Sequence, residues 1–143
     1  MMLGYIAGDG SFEAPAGGFH DTGDIVSVQD GFVIIRGRAK RFAKIGAEMV
    51  SLAAVESLAQ GLWPESIHAA VALPDRRKGE QVVLVTEKDA ADREAIVARG
   101  RAQGLPELWL PRTVLVTRLP VMASGKIDYT ATAEMVRKLR PNL

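Results

Sequence analysis

The sequence predicts an α+β domain with α/β character: a small three-stranded sheet flanked by helices and preceded by a β-hairpin. Three observations carry this. Ile67–Leu73 and Gln81–Thr86 are near-continuous apolar runs, the pattern of strands buried on both faces. Leu52, Val55, Leu58/Ala59 and Leu62 recur at helical spacing behind Ser51, a capping residue. Two strand-like runs, 24–28 and 32–36, are joined by Gln29-Asp30-Gly31, and Asp-Gly between such runs signals a hairpin.

The elements follow in order. Residues 1–19 contain Gly4, Gly8, Gly10, Pro15, Gly17 and Gly18, which predicts a loop, or the torn end of something larger. After the hairpin, residues 36–44 carry Arg36, Arg38, Lys40, Arg41 and Lys44 with no acid among them. A helix is expected over 52–62, with Gly61 and Pro64 bracketing its end. The turn at 74–79 between the two apolar strands is charged, with Asp75, Arg76, Arg77 and Lys78. A weaker, Ala-rich helix is expected over 90–102, turning Ile96 and Val97 to the core. Pro106 and Pro111 frame a loop, and a strand is expected over 113–118. Asp128 should cap a last helix with the stripe Thr132, Met135, Val136 and Leu139. From residue 51 the order is α-β-β-α-β-α, which suits a sheet covered by helices. The hairpin falls outside that unit, and the boundary is expected near Lys40, between residues 1–39 and 40–143.

Composition narrows the function. The chain has 143 residues, 18 Lys+Arg against 17 Asp+Glu, and 48% hydrophobic residues. That apolar content offsets the entropy of one ordered domain, so disorder throughout is not expected. The near-zero charge argues against coating nucleic acid or anionic lipid by bulk attraction. There is no cysteine, which excludes disulfides, Cys-ligated metal and thiol catalysis. The two histidines, His20 and His68, are too far apart to form a helical metal-binding pair, and no metal site is expected. His68, within an apolar strand, reads as a satisfied core histidine. No apolar run approaches the roughly 20 residues that span a bilayer, and the start lacks a signal-peptide pattern. A cytoplasmic location is the expectation.

Four segments are candidates for chemistry, each with a plain alternative. In His20-Asp21-Thr22-Gly23-Asp24, the carboxylate of Asp24 would stand at the lip of a strand, where it suits vicinal hydroxyls; the alternative is a turn bonded to its own backbone. Across 37–44, Arg38 and Lys44 suit phosphate, and cations around Phe42 suit RNA; the alternative is an edge strand guarded by charge. Gly46-Ala47-Glu48-Met49-Val50 would be a glycine loop lining a channel; the alternative is merely the bend that leads into the helix. Pro120-Val121-Met122-Ala123-Ser124-Gly125-Lys126 is no phosphate-binding P-loop, because Pro120 and Ile127 stand where Gly and Ser/Thr are required. It offers a lysine on a glycine-bearing turn, either reaching into a neighbouring site or simply solvated. No Ser–His–acid arrangement is present.

Order and spacing add what the single segments lack. Thr22-Gly23-Asp24 is followed by Gly37-Arg38-x-Lys40, then Lys44-x-Gly46-Ala47-Glu48, then Pro120…Ser124-Gly125-Lys126. This series resembles the C-terminal end of the adenylate-forming superfamily, which includes acyl-CoA synthetases, peptide-synthetase adenylation domains and luciferases. The segment 37–52, GRAKRFAKIGAEMVSL, is similar to the acyl-[acyl carrier protein] synthetase half of bifunctional 2-acylglycerophosphoethanolamine acyltransferases. The resemblance runs over essentially the whole chain.

The resemblance implies a ligase that activates a fatty acid with ATP to an acyl-adenylate and passes the acyl group to a phosphopantetheine thiol. It implies Mg²⁺ in the parent, and an acyl carrier protein or CoA as acceptor. By resemblance Lys126 is the catalytic lysine of adenylation, Asp24 holds the ribose of AMP with Arg38 beside it, and Lys40 is the hinge. Lys44, Gly46 and Ala47 would border the pantetheine path; Ala47 departs from the family's glycine. Residues 1–39 would be a remnant of the large AMP-binding domain and residues 40–143 the mobile C-terminal domain. The ATP, acid and Mg²⁺ sites would lie in a partner N-terminal body, leaving this piece inactive alone and without bound cofactor. A parent at the inner face of the cell membrane, with an acyltransferase domain, would fit the same likeness; nucleic acid is not an expected partner. The competing reading is a binding module that uses 36–44 for nucleic acid or an acidic protein.

Overall fold

The computed structural model describes residues 4–6, 8–14, 17, 19 and 21–141. Backbone packing divides the chain into two units, Met1–Ala39 and Lys40–Leu143.

In the first unit β1 (Tyr5–Ile6) pairs antiparallel with β2 (Phe12–Glu13), a short ladder where only loop was expected. Part of the loop expected over 1–19, and His20, lie outside the described residues. β3 (Asp24–Gln29) and β4 (Phe32–Arg38) form the hairpin. Asp30 and Gly31 between them have φ of 51° and 81°. Two successive positive φ values define the type I′ pattern, whose twist matches that of the flanking strands. A register shift between Ile25 and Val26 marks a bulge. Val28, Phe32, Val33 and Ile35 are all exposed, Phe32 by 75%.

The second unit opens with a 3-10 turn, Ala39–Arg41, and then a second hairpin, β5 (Phe42–Ile45) and β6 (Glu48–Ser51). Its inward residues Ala43, Ile45 and Val50 are buried while Lys44 and Met49 are exposed, the two-residue alternation of a half-buried ladder. The three-stranded expectation is corrected here: this hairpin joins the sheet, which has five strands. α1 (Leu52–Leu62) starts where predicted, and Ser51 Oγ accepts from the Ala54 amide at 3.3 Å.

β7 (His68–Asp75) and β8 (Gly79–Thr86) pair antiparallel along their whole length. α2 (Arg93–Ala102) follows, with Asp92 Oδ1 accepting from the Ala95 amide at 2.8 Å. Glu94 in its first turn and Arg99 and Arg101 in its last complement the helix dipole. β9 (Thr113–Val116) returns parallel to β8, Val83 opposite Thr113, completing a β-α-β crossover. β5 meets β8 only at Ile45 opposite Gly79. Since β7 takes one edge of β8, β5 and β9 share the other, at opposite ends. α3 (Tyr129–Leu139) closes the chain.

Because both edges and both faces of β8 are covered, every residue from Gln81 to Thr86 is buried, which accounts for the apolar run. Side chains alternate between two cores. Val82 and Leu84 pack with Val55 and Leu58 of α1 and Ile96 of α2; Val83 and Val85 pack on the other face with Leu119 and Val136 of α3. The α3 stripe is shorter than expected, since Leu139 is 54% exposed. No helix among the described residues is long and apolar enough to cross a membrane.

Candidate functional site

In the first unit the hairpin register sets Asp24 directly opposite Arg38, and Arg38 Nε meets Asp24 Oδ1 at 2.8 Å. The Asp24 side chain is 18% exposed and Arg38 70%. Arg38 also donates to the Thr22 carbonyl at 3.3 Å. The turn before β3 is bonded to itself: Asp21 Oδ1 accepts from the Gly23 amide at 2.8 Å, and Thr22 Oγ1 from the Asp24 amide at 3.2 Å. The Ala39 amide donates to the Gly23 carbonyl at 2.7 Å, which pins this turn to the end of β4. The self-bonded turn is thus the alternative the sequence offered. The turn is self-bonded, and it presents a carboxylate with a guanidinium beside it at the end of the hairpin.

In the second unit Lys40 is exposed on the 3-10 turn. Lys44 lies on β5 with its side chain exposed, and its amide donates to Glu80. Gly46 and Ala47 form the two-residue turn to β6. Gly46 carries the positive φ, 62°, and Ala47 does not. Glycine first in a two-residue hairpin turn is the type II′ pattern. Ala47, where the resemblance expects glycine, thus needs no left-handed backbone.

The basic stretch 36–44 is not one cationic face. Arg36 Nε donates to Ser27 Oγ at 2.8 Å, and Arg38 is paired with Asp24. Arg41 is turned inward onto Glu56 of α1, at 2.5 Å. Among the described residues, only the Lys40 and Lys44 side chains of this stretch have no ion-pair or hydrogen-bond partner. That arrangement counts against the nucleic-acid reading, which needs convergent free cations.

Lys126 sits between β9 and α3 on a built turn. The Gly125 amide donates to the Met122 carbonyl and the Met122 amide to the Lys126 carbonyl, both at 2.8 Å. Val121 and Ile127 form an isolated bridge, and the Asp128 amide donates to the Pro120 carbonyl at 2.9 Å. Asp128 then caps α3, its Oδ1 accepting from the Ala131 amide at 2.9 Å. The turn is fixed at its base, and the Lys126 side chain projects from it, exposed and without a partner among the described residues.

His68 is buried; Nε2 donates to the Trp63 carbonyl at 2.9 Å and Nδ1 meets Thr86 Oγ1 at 2.8 Å, so the ring is spent on structure. At the β7–β8 turn, the amides of Arg77 and then Lys78 bind Asp75 Oδ1, and Arg112 binds Oδ2 at 2.7 Å. Those amide bonds, with the nearby Arg112 and Lys78 charges, hold the Asp75 carboxyl below the usual carboxylate range. The turn leaves Arg76, Arg77 and Lys78 exposed. Among the described residues no three acidic or histidine side chains converge on a metal position.

Sequence reasoning missed the inward Arg41 and its partner Tyr129. Arg41 stood among cations read as solvent-facing, and its contacts are 15 and 88 positions away. Only the aromatic at the first position of the last helix hinted at a partner.

No protein-family model matches the chain. It is 34% identical over 125 residues to the 2,3-dihydroxybenzoate-AMP ligase of Bacillus subtilis, a match covering 83% of this chain and 23% of that protein. It is 33% identical over 118 residues to the L-proline--[L-prolyl-carrier protein] ligase of Streptomyces coelicolor, covering 78% of this chain and 22% of that one. Among solved structures it resembles a Mycobacterium tuberculosis fatty acyl CoA synthetase with a TM-score of 0.67 and 27% identity, over 94% of this chain and 26% of that one. The chain belongs to the adenylate-forming superfamily and has the fold of its C-terminal domain. It spans about a quarter of the length of the curated relatives it matches.

Proposed function

We propose that this chain is the small rotating domain, with a strip of the preceding body, of an ATP-dependent acid–thiol ligase. Within that class we propose an acyl-[acyl carrier protein] synthetase acting on fatty acids, on the likeness of residues 37–52. The observation that carries the ligase reading is Lys126: an exposed ammonium, without a partner among the described residues, on a turn fixed at both ends, in a chain of this family. Such a group is suited to meet the charge that builds on an α-phosphate and the acid oxygen during adenylation. Bound ATP would supply the leaving pyrophosphate and the AMP carrier. Asp24 would accept from the ribose hydroxyls, and Arg38 keeps that carboxylate oriented. Lys40 would be the residue about which the domain turns, and Gly46 and Ala47 would face the site for the second half-reaction. Phosphopantetheine, Mg²⁺ in the larger body, a cytoplasmic setting and a membrane-associated acyltransferase parent belong to the same proposal.

The test is thioester formation. The chain alone, given ATP and a fatty acid, should release no pyrophosphate above background. The complete ligase should form adenylate, and should load a phosphopantetheinylated carrier protein faster than CoA at equal concentrations. Faster loading of CoA would remove the carrier-protein reading and leave the ligase class standing.

A further inference from the structure

We propose that Arg41 is a positioning residue: its guanidinium ties the segment beside Lys40 to the start of α3 and thereby sets the place of the turn that bears Lys126. The inference rests on the ligase reading for its catalytic consequence, though not for its geometry. Arg41 Nη1 donates to the Ala70 carbonyl of β7 at 3.0 Å, and Nη2 pairs with Glu56 Oε1 of α1. The same Glu56 oxygen accepts from the Ala70 amide at 2.8 Å. The guanidinium lies over the Tyr129 ring, 3.7 Å from its centre. Arg41 and Glu56 side chains are only 19% and 18% exposed.

A planar, forked cation suits this place because it can make two directed bonds and stack at once. Tyr129 is the first residue of α3 and follows the capping Asp128, whose amide closes the base of the Lys126 turn on Pro120. The other end of that loop is anchored as well: Leu119 is buried, and its amide donates to Glu87 Oε1 at 2.8 Å. On this proposal a movement of Tyr129 passes through Asp128 into residues 121–127. Arg41 is adjacent to Lys40, so the hinge segment and the lysine turn share one guanidinium.

The variant Arg41→Met with Glu56→Gln tests this, because it keeps an apolar stem, leaves no unpaired charge, and keeps an acceptor for the Ala70 amide. Arg41→Lys is the second variant, with charge kept and the flat fork lost. In the 143-residue chain, amide NMR shifts at 121–131 should move in both variants well beyond those of the β7–β8 ladder away from Ala70 and Val71, whose own bonds to Arg41 and Glu56 are changed. Unmoved amides at 121–127 in either folded variant overturn the proposal. In the complete ligase, adenylation should fall roughly tenfold or more with KM for ATP little changed, as expected for a misplaced reacting group. Thioester formation from preformed acyl-adenylate should stay within about twofold of the parent. Unaltered adenylation, where Lys126→Ala abolishes it, or equal loss in both half-reactions, also overturns the proposal. If Lys126→Ala itself leaves adenylation intact, the ligase role of Lys126 fails, and the amide shifts alone decide whether Arg41 holds the turn.

Discussion

Tyr129 carries a testable charge balance of its own. Burial, and then the Glu56 carboxylate it faces, push its phenol above the usual 10.0, with Arg41 pulling the other way. Folded, the ring keeps its proton more tightly than it does unfolded, where it titrates near 10. Its contribution to stability is full below about pH 10 and is lost as pH rises through the folded value. Tyr129→Phe should flatten the decline of stability above pH 10 in urea titrations at stepped pH. An unchanged decline would mean that the phenol does not carry it. At this scale the sequence was legible where chemistry is local. Ser51 and Asp128 cap the helices they precede, and His68 is bonded within the core. It was opaque where a partner is remote: nothing in 36–44 separates Arg41, which meets Glu56 and Tyr129, from the exposed Lys40 beside it.

Among the elements, α1, α3 and the β3–β4 hairpin follow from cap, stripe and turn signals that lie within a dozen residues of each other. The β5–β6 hairpin did not, because Ala43, Ile45 and Val50 are few and the neighbouring cations dominate the pattern. Helix packing offers a paired prediction. A Cβ on Gly100 of α2 would stand 2.2 Å from Leu110 Cδ2, against core. Gly100→Ala should lose about 1–3 kcal/mol, the cost of overpacking. A Cβ on Gly61 of α1 would have the Arg99 guanidinium as its nearest neighbour, at 2.7 Å, the far end of a flexible chain. Gly61→Ala should stay within about 0.5 kcal/mol or gain, since alanine favours the helix. Denaturant unfolding of the two variants checks the contrast; similar losses in both would contradict this account of the α2 packing. The β7–β8 turn offers another. On the proposed carrier-protein reading, the exposed Arg76, Arg77 and Lys78 would meet an acidic carrier protein, and neutralising all three should slow its association about tenfold at low salt, with turnover at saturation little changed. A loading step with unaltered salt dependence would exclude this turn as the docking surface.

At the scale of the whole molecule the two units differ in how well they hide apolar surface. Lys40–Leu143 buries a core on each face of its sheet, whereas the Met1–Ala39 hairpin exposes Phe32, Val33 and Ile35. That exposed apolar surface is what the proposed larger body would cover. On the proposed function, one side of the domain serves adenylation and another serves the thiol. In the complete ligase, Lys126→Ala should cut acyl-adenylate formation by several orders of magnitude, since loss of a preorganised charge costs roughly 3–4 kcal/mol or more. Given preformed acyl-adenylate, the same variant should make thioester at near the parent rate. Ala47→Leu, on the β5–β6 turn, should do the reverse. The measurement is the rate of each half-reaction for Lys126→Ala, taken separately. A selective loss of adenylation is the predicted result; equal loss in both steps would mean one fixed site, and would contradict a domain that turns between two uses.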